Sequence, residues 1–252
     1  SKVMDPLFGD FIKEFEKHAP IEDFHFLITA DHGQAKMNKE EKYIIYNEML
    51  GEILAAAPGG GFKLAPRENF SPEYTAVVNM EAGTAQIHLI NRATYDWPDL
   101  PRFEQDVLPV ADAFLAYKKG PKPFVDFILV RRTPEEGYFV YDGEKLITLE
   151  DFFAGKDNRY PDAIRRIRGL NCARSGNLIV ILDYDSGYYF GDSPKAGEHG
   201  NLCADDAYIP FVVSGPGIPE KTVPFASLVD AAPTAAKILG IDMPSAEGVS
   251  LV

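Results

Sequence analysis

The 252-residue chain has 38 acidic residues against 25 Lys and Arg residues, a formal net charge of −13, and 46% of its residues are hydrophobic. A chain of this size buries a substantial core in one or two domains. The negative charge argues against a nucleic-acid-binding protein, since such proteins display basic patches. No apolar run is long enough to span a membrane. Two cysteines, Cys172 and Cys203, are too few to indicate a redox compartment, whether or not they form a disulfide.

The first predicted element is a helix that begins at Asp5 and Pro6 and ends near Lys17. Apolar side chains between residues 7 and 15 recur at helical spacing, and Pro20 stops the pattern. The segment is therefore predicted to be a helix with one apolar face.

Residues 24–30 predict a buried strand that runs into Asp31, His32 and Gly33. In open α/β sheets, ligands bind at the carboxyl ends of the strands. A carboxylate beside an imidazole suits zinc or manganese better than calcium, and a glycine lets the backbone turn tightly beneath an ion. An Asp-His-Gly triplet alone also fits a strand followed by a polar turn, so the motif needs support from elsewhere in the chain.

The middle of the chain, from about residue 62 to residue 175, has a different character from its ends. It contains several predicted strands and few helices, which indicates a small α+β insertion. The predicted strands cover residues 74–80, 85–91, 124–131 and 137–141, and the predicted helices cover 106–117 and 161–170. Another helix is predicted before this segment, over residues 47–57. The helix over residues 161–170 is expected to return the chain to its main sheet, which a buried strand over residues 177–182 resumes.

A second candidate ligand lies far downstream, in the glycine-rich segment Gly197-Glu198-His199-Gly200. A core histidine is rarely found between glycines, whereas a ligand needs this exposure and backbone freedom. An apolar strand over residues 208–214 follows, and the chain ends with a predicted helix over residues 227–240.

These three blocks, in this order, resemble the alkaline phosphatase superfamily and, within it, the type I phosphodiesterase/nucleotide pyrophosphatase branch. The resemblance implies an alkaline-phosphatase-like α/β core, with a mostly parallel sheet and flanking helices, formed by residues 1–57 and 176–252. Residues 58–175 would be the insertion, near the active-site mouth. The resemblance further implies that Asp31 and His32 bind one ion of a two-metal site and that His199 binds the other.

The family pattern also contains features that do not precede Asp31 in this sequence. They are an upstream strand with an aspartate, a Thr or Ser nucleophile at a helix start, and a further Asp and His. We therefore expect the chain to be the C-terminal part of a longer enzyme, without a catalytic residue of its own and inactive in isolation. Its partner would be the missing N-terminal part, and any signal peptide would lie upstream, which leaves the localisation open.

The expected activity of the full-length parent is hydrolysis of a small phosphorylated substrate with two divalent ions, of which Zn²⁺ fits best. An imidazole at position 199 favours a phosphoester over a sulfate ester, because the sulfatases of this fold use a single calcium, which prefers oxygen ligands. Related phosphatases, sulfatases and phosphonate hydrolases stay open as alternatives, as does a non-catalytic binding or interaction module. In the enzyme hypothesis, Asp31, His32 and His199 converge at one edge of the sheet.

Overall fold

The computed structural model describes residues 4–66, 71–120 and 122–252. They divide into two compact units. The first contains the described residues up to Asp31 together with Ile209–Val252, and the second is formed by the described residues of His32–Tyr208. None of the described helices is long and apolar enough to cross a membrane.

The described residues form a mixed α/β structure. Its α-helices are α1 (Met4–Phe15), α2 (Asn47–Ala55), α3 (Leu108–Ala116), α4 (Leu149–Phe153), α5 (Ala163–Leu170), α6 (Ala204–Ala207) and α7 (Ala231–Ile238). Its strands are β1 (Phe26–Thr29), β2 (Ala35–Lys36), β3 (Ile44–Ile45), β4 (Ala76–Glu81), β5 (Thr84–Leu89), β6 (Val125–Val130), β7 (Phe139–Tyr141), β8 (Leu146–Ile147), β9 (Leu178–Leu182), β10 (Tyr189–Phe190), β11 (Gly197–Glu198) and β12 (Phe211–Ser214).

The largest sheet lies in the second unit and has six strands in the order β4-β5-β9-β6-β7-β8. Every neighbouring pair in it is antiparallel, so the prediction of a mostly parallel sheet is wrong. Short turns, such as Ala82-Gly83 between β4 and β5, can join antiparallel strands, whereas parallel strands need long crossovers. Strand β9 lies between β5 and β6, which were both assigned to the insertion. The bounds of that insertion, residues 58 and 175, stay a prediction.

The core of the second unit is built on the two faces of β9. Leu178, Val180 and Leu182 point into a cluster with residues of α2 and α3, whereas Ile179 and Ile181 point into one with residues of α4 and α5. This alternation follows from the two-residue period of a strand, and it places helices on both faces of the sheet. A strand that is covered on both faces is apolar throughout, as the sequence of β9 is.

The helix predicted over residues 106–117 is present as α3, which follows a π-helical turn at Phe103–Val107. Pro109 lies in the first turn of α3, and the φ angle that its ring fixes is compatible with a helix. The helices predicted near the start of the chain and over residues 47–57 and 161–170 are likewise present as α1, α2 and α5.

In the first unit, β1 pairs antiparallel with β12. The buried Asp230 accepts hydrogen bonds from the backbone N–H groups of Ser227 at 2.8 Å and Val249 at 2.9 Å, so one carboxylate ties the start of the last helix to the end of the chain. The predicted C-terminal helix is present as a 3₁₀ turn at Leu228–Asp230 followed by α7.

Candidate metal centre

The start of the second unit is held closely against the segment that follows His199. The backbone N–H of Gly33 donates a hydrogen bond to the carbonyl of Asp206 at 2.9 Å. A Cβ atom at position 33 would lie 2.0 Å from the carbonyl oxygen of Asp205, so only glycine permits this approach. Strand β2 also pairs antiparallel with β11, which directly precedes His199. These contacts bring the two ends of the unit together.

His32 and His199 lie side by side as a result. Their ring centroids are 3.7 Å apart and the ring planes differ by 21°. Nδ1 of His32 lies 2.7 Å from the carbonyl oxygen of Gly33. Because a carbonyl only accepts hydrogen bonds, this Nδ1 carries the proton, and the lone pair of the neutral ring is at Nε2. Metal-binding histidines commonly have their other nitrogen fixed in this way.

Two carboxylates near His199 were not among the predicted ligands. Ligand atoms of Glu81, Glu198 and His199 all lie within 4.8 Å of one another. Oε1 of Glu81 is 3.7 Å from Nε2 of His199. Glu198 precedes His199 in the sequence and was within reach of prediction. Glu81 ends β4 at a hairpin turn, and an exposed glutamate at a turn is too common a feature to indicate a ligand.

The β4–β5 turn is docked onto the His199 segment by backbone contacts. The N–H of Gly83 donates to the carbonyl of His199 at 3.2 Å. Gly200 has φ = +96°, and a Cβ atom there would lie 2.8 Å from both Cγ and the carbonyl oxygen of Glu81. Glycine therefore serves both the backbone conformation and the close approach at position 200. The position of Glu81 beside His199 is thus fixed by the fold.

A buried carboxylate adds negative charge at this centre. Asp206 accepts a hydrogen bond from the N–H of Asn201 at 2.7 Å through Oδ2, whereas its Oδ1 is buried with no hydrogen-bond partner among the described residues. Burial raises the pKa of this carboxyl group above its ordinary value, and the Asn201 hydrogen bond and the nearby His199 oppose that rise. An unpaired buried acceptor costs about 1–3 kcal/mol, and a cation nearby would offset that cost.

The residues present fit a divalent cation. Two imidazoles and two carboxylates form the nitrogen and oxygen donor set that zinc accepts. Asp31, the third predicted ligand, is the last residue of the first unit and directly precedes His32, and its role as a ligand stays a prediction. The two cysteines are separate thiols, with Cys172 exposed and Cys203 buried.

No protein-family model and no curated protein matches the chain. Among solved structures, it is similar to two crystal structures of phosphonoacetate hydrolase from Sinorhizobium meliloti 1021, one in complex with phosphonoacetate and one with phosphonoformate. In both cases the identity is 17% and the TM-score is 0.38, over 77% of this chain and 37% of that chain. The chain thus spans well under half the length of the solved chains it matches, and a likeness this weak establishes neither its family nor its activity.

Proposed function

We propose that this chain carries part of the metal centre of a hydrolase that acts on phosphoric esters, of the alkaline phosphatase superfamily type. The observation that supports it best is the direct stacking of His32 on His199, two metal-capable side chains that are far apart in the sequence. The superfamily resemblance of the sequence blocks around them points to the same residues. Phosphodiesters and nucleotide pyrophosphates are the substrates we expect for the full-length parent.

In this proposal Asp31 and His32 hold one divalent ion and His199 holds a second. Glu81 and Glu198 are new candidates for the ion at His199, because their carboxylates lie within reach of its ring. The set of imidazole and carboxylate donors favours Zn²⁺ over calcium.

A bound divalent ion would supply Lewis-acid chemistry, by activating a hydroxyl nucleophile and by neutralising charge on phosphoryl oxygens. The chain's own residues would bind the ion and orient its ligands. The Gly33 carbonyl sets the tautomer and the direction of the His32 ring. The buried Asp206 holds the backbone at Asn201, two residues after His199. No residue of this chain is proposed as the nucleophile.

Zinc titration by calorimetry, on protein first treated with a chelator, tests the proposal. His199→Ala should lower zinc affinity at least about tenfold, since it removes one of a small number of ligands, and His32→Ala should lower it as well. His18→Ala is the matched control, because His18 is an exposed imidazole in the first unit and should leave binding unchanged. Unchanged zinc binding in both His199→Ala and His32→Ala would refute the metal centre.

Activity is tested separately with a nitrophenyl phosphodiester. The isolated chain should give negligible turnover, because a site that lacks its nucleophile retains little of its rate. Robust turnover that disappears in His199→Ala would keep the metal centre but show that the chain itself supplies a nucleophile.

A further inference from the structure

The second unit contains a cavity of about 310 Å³ with a basic lining. Three lysines, Lys42, Lys119 and Lys122, and two tyrosines, Tyr43 and Tyr188, form most of its wall. No carboxylate of the described residues lines it, although the whole chain has a net charge of −13. The cavity is at the small end of the range for ligand-binding pockets. Its chemistry is that of a site for a small anion.

The aromatic part of the wall has a fixed position. Tyr43 directly precedes β3 and Tyr188 directly precedes β10, and these two strands pair in parallel, so both tyrosines lie at the same edge. Their ring centroids are 5.3 Å apart. Tyr188 is buried and also packs edge-on against Phe124, at a centroid distance of 6.2 Å. The cavity therefore presents a preformed aromatic surface.

The positive charges in the wall are only partly neutralised. Lys42 forms an ion pair with the exposed Glu40 at 2.8 Å. Lys119 instead donates to neutral acceptors, the carbonyl of Ile44 and the Sδ atom of Met49 at 3.2 Å. Partial burial without a carboxylate partner lowers the pKa of Lys119 below its ordinary value.

Lys122 is exposed and has no carboxylate partner among the described residues. Lys119 and Lys122 together thus offer about two uncompensated positive charges. A phosphomonoester carries about −1.5 to −2 charges at neutral pH and matches them, whereas a carboxylate would neutralise only one.

We propose that this cavity binds a small aromatic phosphomonoester, the class to which nucleoside monophosphates belong. The phosphate lies between Lys119 and Lys122, and the ring lies against Tyr43 and Tyr188. The hydroxyl of Ser186, at the same cavity, already donates to the Asp183 carbonyl at 2.6 Å. Its proton is therefore engaged, so this hydroxyl cannot donate a hydrogen bond to a base, and we expect different bases to bind similarly.

The proposal is independent of the metal centre. None of the candidate metal ligands in the second unit lines the cavity. Binding should therefore persist in protein treated with a chelator and in His199→Ala, so a failure here and a failure of the metal centre give different results.

Calorimetric titration of the chelator-treated chain with AMP tests it, with GMP, inorganic phosphate and adenosine as comparison ligands. AMP and GMP should bind with similar affinity, and phosphate and adenosine each at least about tenfold more weakly. Lys119→Met and Lys122→Gln should each weaken AMP binding about tenfold, the loss expected for one charge-assisted hydrogen bond. Lys118→Gln is the matched control, because this neighbouring exposed lysine does not line the cavity.

Four results would overturn the proposal: no AMP binding at millimolar concentration, adenosine binding as tightly as AMP, phosphate binding as tightly as AMP, or an equal loss in Lys118→Gln. An equal loss in Lys118→Gln would indicate that AMP is attracted to the basic segment in general and not to the cavity. Circular dichroism checks that Lys119→Met folds, since Lys119 also bonds to β3. If it does not fold, the exposed Lys122→Gln decides the question.

Discussion

Replacement of Asp106 by asparagine should strongly destabilise the second unit. The Asp106 side chain is fully buried and accepts four hydrogen bonds. Nε of Arg92 donates at 2.8 Å, and Arg102 donates through its backbone N–H at 2.8 Å, Nε at 3.0 Å and Nη2 at 2.9 Å. Arg92 also donates to the carbonyls of Gly59 and Gln105. One carboxylate thus ties three backbone segments together.

The expected loss follows from the charge that remains behind. Arg92 is only 10% exposed, so the asparagine variant leaves a nearly buried guanidinium without its counter-charge. Removal of one member of a buried ion pair typically costs about 3–5 kcal/mol. We expect Asp106→Asn to lose a free energy of unfolding in this range.

Denaturation by guanidinium chloride, followed by tryptophan fluorescence, measures this loss. Trp97 is the single tryptophan of the chain and lies in the second unit, so its signal reports on that unit. Asp157→Asn, at an exposed position, is the control and should change stability by less than about 0.5 kcal/mol. A loss below about 1 kcal/mol in Asp106→Asn would refute the reasoning.

Three further predictions concern pH, thiol reactivity and backbone packing. Burial alone would raise the pKa of Asp106, but the hydrogen bonds from two arginines lower it to about 2. About 2 kcal/mol of its contribution to stability is therefore present above pH 4 and lost as the pH falls towards 2, so the difference in free energy of unfolding between wild type and Asp106→Asn should shrink by about that amount. Cys172 is exposed and its hydrogen bond with Ser175 lowers its pKa, whereas burial raises the pKa of Cys203. Iodoacetamide should therefore modify Cys172 first, as measured by mass spectrometry. Equal labelling of the two cysteines in the folded chain would contradict this prediction. Gly33→Ala should lower both the melting temperature and the zinc affinity, and wild-type values for both would show that the close approach is unimportant.

The type and position of most elements could be predicted from the sequence, but the direction of strand pairing could not. Strand β9 is a continuous apolar run, which is typical of a parallel strand covered by helices. Here helices cover both faces of an antiparallel sheet and produce the same pattern. Burial on both faces determines the hydrophobic pattern of a strand, and the pattern does not depend on whether the strand pairs parallel or antiparallel.

The residues of the candidate site likewise fall into those that could be predicted from the sequence and those that could not. His32 and His199 were identified as candidates because each has an unusual local setting, beside an acid and a glycine or between glycines. Glu81 could not be identified, because its place beside His199 depends on contacts at Gly83 and Gly200 between segments that are distant in the sequence. A single sequence shows which residues neighbour a candidate ligand along the chain, but not which distant segments pack against it.

The bond between Gly33 and Asp206 has a consequence for the order in which the chain folds. Strands β1 and β12 belong to one unit, yet the whole second unit separates them in the sequence. Closing a flexible loop of that length would cost roughly 4–5 kcal/mol of chain entropy. Once the second unit has folded, the Gly33–Asp206 bond holds its two ends together, and most of that entropy has already been lost. The first unit should therefore assemble last, by pairing the strand that precedes the second unit with the strand that follows it.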